Sequence, residues 1–152
     1  MESATYSGNT GYIDYMNMKL TREEVIDTVK SAHDNGETPN LRQVDLWWVN
    51  LNEANLQGAD LSQAYLRRAD LSQANLQGTN LDEADLSRAN LRGANLRQAE
   101  LSRADLHEAD LRQADLRETD LRRANLRRAK YNDDTRWPTS FDPIQVGAIH
   151  KE

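Results

Sequence analysis

The chain of 152 residues contains no cysteine. That excludes disulfide staples, thiolate metal sites and thiol catalysis. No apolar stretch approaches the roughly 18 residues that span a bilayer, so no membrane partner is expected. Residues 1–5 lack both the basic start and the apolar core of a signal peptide, and the expected compartment is the cytoplasm. Histidine is scarce: His33, His107 and His150 are far apart, and no pair has metal-ligand spacing. A strong field of one sign is also missing from most of the chain. The formal net charge is −6, but residues 41–130 hold fourteen acids and fourteen bases. The excess of acid lies in the flanks, −4 over residues 1–40 and −2 over residues 131–152.

What the chain does have is a leucine every five residues. Eighteen follow one another without a miss, from Leu41 to Leu126, and Tyr131 takes the nineteenth slot. Alanine stands two positions before the leucine in thirteen of the eighteen units, with threonine at Thr79 and Thr119. Asn or Asp comes directly before it in sixteen. An internal repeat of this regularity governs the fold before any local propensity does.

A five-residue step advances an α-helix by about 140° beyond a full turn, which scatters the leucines round the cylinder. A strand would point them alternately up and down. A chain that turns a corner once per unit brings them to one interior. Asn and Asp before the leucine fit such corners, since they tolerate left-handed and turn conformations. The small alanine, two positions away, points to the same side of an extended segment as the leucine. The expected fold is all-β: a narrow solenoid with leucine ladders inside and polar ladders outside. Period alone leaves three or four sides open. The segment 54–58, Ala-Asn-Leu-Gln-Gly, recurs at 74–78 and favours four.

The Ala-(Asn/Asp)-Leu-X-X pattern from Leu41 to Tyr131 closely resembles the pentapeptide-repeat family, over about three-fifths of the chain. The resemblance implies a right-handed, quadrilateral β-helix with one coil per four repeats. Departures are few. Pro39, Val44 and Val49 replace alanine in the first coil, and Tyr65, Glu100 and Lys130 replace Asn or Asp.

The flanks read as caps over open solenoid ends, which otherwise expose strand edges. Thr21-Arg22-Glu23-Glu24 has capping-box spacing. Val25, Ile26 and Val29 then recur at helical spacing, and Asn35-Gly36 supplies a stop. A short capping α-helix is therefore expected over about residues 22–34. After the repeats, residues 137–143, Trp-Pro-Thr-Ser-Phe-Asp-Pro, suit an irregular plug and resemble tails of cyanobacterial members of the family. The resulting division is a flexible segment at 1–18, a helical cap at 19–38, the β-helix at 39–131 and a capping tail at 132–152.

Chemistry is sparse. The carboxylates before leucine follow the repeat rule and are not a selected acid–base pair. Gly58, Gly78 and Gly93 mark corners, not a phosphate loop. His107 reads as a solvated ladder residue. Neither catalytic, cofactor nor metal residues are assigned, and the chain is not expected to be an enzyme. Two surface features remain as binding candidates. Trp47 and Trp48 occupy outward positions, where they either pack under the helix or its linker or form an aromatic anchor for a partner. Arg122, Arg123, Arg127 and Arg128 gather near the C-terminal end of the repeats. They either recognise an anionic partner or belong to an interleaved, self-paired surface.

The function expected is a noncatalytic protein-interaction or regulatory scaffold whose partner is another protein, with a monomer favoured. The alternative comes from the resemblance, since some family members mimic DNA and modulate type II topoisomerases. Mimicry requires dense negative charge, which these neutral repeats lack. Direct nucleic-acid binding is disfavoured by the same interleaved acids.

Overall fold

The computed structural model describes residues 19–152; the reading of residues 1–18 as flexible lies outside them. Parallel bridges join each residue before a leucine to its equivalent twenty positions on. Asn40 meets Asp60, Asp60 meets Asn80, and the series continues to Asp110 and Lys130. Twenty residues make one coil, and its four five-residue units make four sides. The sides are headed by Leu41, Leu46, Leu51 and Leu56, called first to fourth below. Every leucine from Leu41 to Leu116 is fully buried, and the alanines beside them fill the remaining interior. Thr79 and Thr119 sit in alanine slots because their hydroxyls donate to the Leu56 and Leu96 carbonyls, at 2.9 and 2.8 Å.

Each letter of the unit has a backbone task. In the first coils, Asp60 N–H donates to the Pro39 carbonyl of the coil before (2.8 Å), and Leu41 N–H donates to the Asp60 carbonyl of the coil after (2.8 Å). Gln43 N–H, at the second X, also donates forward, to the Ser62 carbonyl (3.0 Å). Ala54 N–H closes a turn on the Leu51 carbonyl (3.0 Å). That leaves the N–H of the first X. In all sixteen Asn/Asp units the side-chain oxygen of that residue accepts it, at 2.9–3.3 Å. Every donor of the unit is thereby satisfied.

This corrects the expectation that Asn and Asp hold the left-handed corner. They stay in the bridges, and the left-handed residue is the second X in all eighteen units, with φ between 57° and 68°. A β-turn whose third residue has positive φ needs its strain there. Gly58, Gly78 and Gly93 are three such residues, as expected for corners.

At the N-terminal end, the carbonyls of the first coil point outward with no earlier coil to donate to them. Helix α1, Arg22–Asp34, lies at this end. Its capping box is formed: the Glu24 carboxylate accepts from Thr21 N–H at 2.8 Å. Val25 and Val29 join the leucine core, whereas Ile26 stays 36% exposed. Three groups then meet outward carbonyls. Leu20 N–H reaches Asp45 (3.2 Å). Arg22 reaches Asn50 and Asn52 (2.9 and 3.0 Å), and His33 Nε2 reaches Gln57 (3.0 Å).

At the other end the repeat persists past Tyr131 with one extra residue. Asp115 bridges Arg136, twenty-one positions on. Thr135 fills the alanine slot, its hydroxyl on the Leu111 carbonyl at 3.0 Å, which puts Trp137 in the leucine slot. Trp137 stacks on Phe141 (5.1 Å between ring centroids) and meets Tyr131 edge-on (5.6 Å). The tail then returns so that β2, Ile149–His150, pairs in parallel with β1, Lys130–Tyr131. No helix among the described residues is long and apolar enough to cross a membrane.

Candidate functional site

The twenty-residue register decides which outward side chains become neighbours. On the second side it stacks Asp45 under Tyr65 and Tyr65 under Asp85. Trp47 and Trp48 lie beside the first of these, at the corner. Their rings meet edge-on with centroids 6.3 Å apart. They do not pack under the helix: Trp47 is 46% exposed and Trp48 59%. The segment before α1 contributes a cation, Lys19 Nζ, 5.7 Å from the Trp47 ring centre. Arg68, one coil on, sits over Trp48 at 5.3 Å. Trp48 has its backbone in the left-handed region, at φ 63°.

Tyr65 belongs to this patch and was missed as a site residue by sequence reasoning. It is 48% exposed. Together with Asp45, Trp47, Arg67 and Asp85 it lines a hollow of about 420 Å³. Its presence breaks the unit rule, because a phenol cannot accept the Arg67 N–H as Asn or Asp would. A local rule broken where aromatics cluster is a mark of function. The departure at position 65 is visible in the sequence; that Tyr65 shares a hollow with Trp47 needs the register.

The arginines divide. Arg122 is tied to Asp120 by a bidentate pair (2.7 and 2.9 Å) yet keeps a side chain 83% exposed. Arg128 reaches Glu108 at 3.5 Å, and Arg88 reaches the same carboxylate at 2.8 Å. These contacts, with the Arg88 hydrogen bond first, hold Glu108 below the usual carboxylate range. Arg123 and Arg127 have no carboxylate partner among the described residues. Arg123 lines a hollow of about 380 Å³ with Ser102, Arg103 and Arg122. The structure therefore puts Trp47 and Trp48 at one end of the second side and Arg127 and Arg128 at the other. Four coils separate them, about 19 Å at a strand spacing of ~4.8 Å. Arg122 and Arg123 stand on the first side, next to the second.

His107 is half-buried, with Nε2 3.4 Å from Glu108 Oε1. His150 pairs with Asp133 at 2.8 Å. Among the described residues, no group of three or more His, Asp or Glu is placed to hold a metal ion.

A family model of pentapeptide repeats matches residues 39–68, 64–103 and 99–130. Among solved structures, the chain is similar to Rfr23, a pentapeptide repeat protein of the cyanobacterium Cyanothece 51142. Identity is 42% over 63% of this chain and 65% of that one, with a TM-score of 0.62. It is also similar to alr5209, a pentapeptide repeat protein from Nostoc PCC 7120. There the identity is 32% over 90% of this chain and 99% of that one, with a TM-score of 0.51. A third, AT2G44920 from the Arabidopsis thaliana thylakoid lumen, is 29% identical over 62% of this chain and 66% of that one, at a TM-score of 0.60. The match thus spans just under two thirds of the Cyanothece and Arabidopsis chains. A search of curated proteins returns no match.

Proposed function

Because this chain belongs to the pentapeptide-repeat family, we propose that it acts as a noncatalytic module that docks another protein on the aromatic patch of its second side. By the same membership we read the β-helix as right-handed, with α1 and the tail from residue 132 as its two caps. The observation that carries the function is the cluster of Trp47, Trp48 and Tyr65, each about half exposed, bordered by Lys19, Arg67 and Arg68. Aromatic and arginine side chains held on a rigid backbone give large contact area at little entropic cost, the composition of interface hot spots. The DNA-mimic alternative has less support, since acids and arginines alternate along the rod instead of forming one negative surface.

The test is a tagged pull-down from source lysate treated with nuclease, comparing the natural chain with a Trp47→Ala, Trp48→Ala double variant. Both rings are exposed, so the melting temperature should hold within a few degrees while the bound protein falls at least about tenfold. Equal capture by both chains would remove the patch as the docking site. A captured protein identified as a type II topoisomerase, inhibited in a supercoiling assay, would promote the alternative.

A further inference from the structure

The backbone ladder is incomplete at one place on the C-terminal end. The tail completes the rung on the third side through β1 and β2, and reaches the second side only at Arg128, whose N–H donates to the Gly147 carbonyl (2.7 Å). Arg136 meets the start of the fourth side, accepting from Leu116 N–H (2.7 Å). Between these, the N–H groups of Glu118, Leu121, Arg123 and Leu126 have no acceptor among the described residues, and no described N–H reaches the Thr119 or Ala124 carbonyl. Leu121 is 8% exposed and Thr119 7%, whereas Leu101 and Thr79, in the same columns, are at 0%. The first-side edge thus keeps backbone groups unpaired, while the Leu121 and Thr119 side chains stay buried.

We propose that this edge, residues 119–123, receives an extended acidic segment of a partner protein as one more parallel strand. This site is distinct from the aromatic patch and does not depend on it. The pattern it requires is written one coil earlier. There Asp120 N–H donates to the Ala99 carbonyl (3.1 Å), Leu101 N–H to the Asp120 carbonyl (2.9 Å), and Arg103 N–H to the Arg122 carbonyl (2.9 Å). The open edge offers the same three groups: the Thr119 carbonyl and the Leu121 and Arg123 N–H. Only a peptide backbone supplies one donor and two acceptors at that spacing, which is how strand addition works. A phosphodiester has no donor for Thr119.

Charge selects the side chains. The ladders of the rod match donors with acceptors between successive coils. Gln43 donates to Gln63 (2.7 Å) and Gln63 to Glu83 (2.7 Å). Arg103 then reaches back to Glu83 (3.2 Å) and to Asp82 (3.0 Å). Arg123 follows Arg103 in this column with no carboxylate of its own among the described residues, and Arg122 beside it is 83% exposed in its side chain. The next rung lies about 4.8 Å above them, and an acid there would pair with Arg123 across one rung, as Glu83 pairs with Arg103. Asp120-Leu121-Arg122 shows the orientation, outward, inward, outward. The incoming strand is therefore acid–apolar–acid: its apolar residue points inward like Leu121, its second acid stands over Arg122, and its first stands over Asp120, which Arg122 already holds in a bidentate pair.

The probe is a fluorescent peptide alternating Glu and Val, titrated into the full chain while the Leu121 and Arg123 amides are followed by NMR. The expected result is saturable binding with slowed exchange at both amides, weakened at least about tenfold in Arg123→Glu. A Lys–Val peptide should not bind. N-methylation of the Glu residues, which carry the ladder bonds, should abolish binding, and N-methylation of the Val residues should preserve it. Several results would overturn the proposal: equal effects of the two methylations, displacement of the peptide by a DNA oligonucleotide at equal charge, or no saturation by about 1 mM.

Discussion

The oxygen of the residue before each leucine accepts a backbone N–H two positions later, which explains a letter that periodicity alone does not. Sixteen units use Asn or Asp, whose short side chains reach that N–H. Glu100 and Tyr65 leave the N–H of Ser102 and Arg67 without this acceptor, and the two exceptions differ in what surrounds them. Glu100 adjoins no aromatic cluster, and nothing in the structure explains it. Glu100→Asn should therefore raise stability by about 0.5–1.5 kcal/mol, the net worth of one hydrogen bond, read as a higher midpoint in urea. Tyr65→Asn restores the same bond but empties the patch. Its expected signature is a similar gain in stability with at least about a tenfold loss of partner capture. A Tyr65→Asn chain that captures its partner normally would show that the phenol is ornamental. Loss of both stability and capture would instead mean that Tyr65 supports the backbone.

Helix α1 illustrates how far the sequence could be read and where reading stopped. Its bounds follow from Thr21, Glu24 and the spacing of Val25 and Val29, all local signals, and the structure has Arg22–Asp34 with the capping box formed. The twenty-residue coil was likewise legible, since the 54–58 segment repeats at 74–78 and the bridges have that offset. The task of Arg22 was not legible. In sequence it is one more charge in a first helical turn. Only the direction of the ladder shows that first-coil carbonyls face outward and need a donor. The shifted unit ending in Trp137 was hidden for a similar reason, because one inserted residue destroys the five-residue count while the backbone absorbs it. Arg22 bridges two carbonyls, of Asn50 and Asn52, that no other described group reaches. Arg22→Met keeps the length and removes both bonds, and should cost about 1–3 kcal/mol. Faster amide exchange should appear first in α1, whose docking is loosened, while the central coils keep their protection. Uniform loss along the rod would mean that α1 and the coils unfold as one unit.

At the scale of the whole rod, residues 41–130 balance their charges in number but not in coupling. Among the described residues, apart from Glu24, held low by its bonds with Thr21, the carboxylates shifted below their ordinary range all lie between residues 108 and 120. Arg88 lowers Glu108, Arg117 lowers Asp115, Gln98 and then Arg97 lower Glu118, and Arg122 lowers Asp120. For Asp110 burial acts in the opposite direction and is outweighed by Arg112. A carboxylate whose pKa is lower in the folded chain than in the unfolded one binds its proton more readily when unfolded. Its stabilisation is therefore complete above the unfolded value, and it is lost as pH falls through the folded one. From pH 7 down to about 5 these groups should change nothing; below about pH 4 they should release their arginines. Because each coil rests only on its neighbours, the loss should begin in the C-terminal coils, where the shifted groups are. Trp137 reports on that end, next to Arg136, which lies 3.9 Å from Asp115. In a chain with Trp47→Phe and Trp48→Phe, its fluorescence should change at a higher pH than the circular dichroism of the whole rod. Added salt should narrow the gap by screening exposed pairs. Coincident transitions would mean that the rod senses acid as a single cooperative unit and that its ion-pair ladders do not divide its stability.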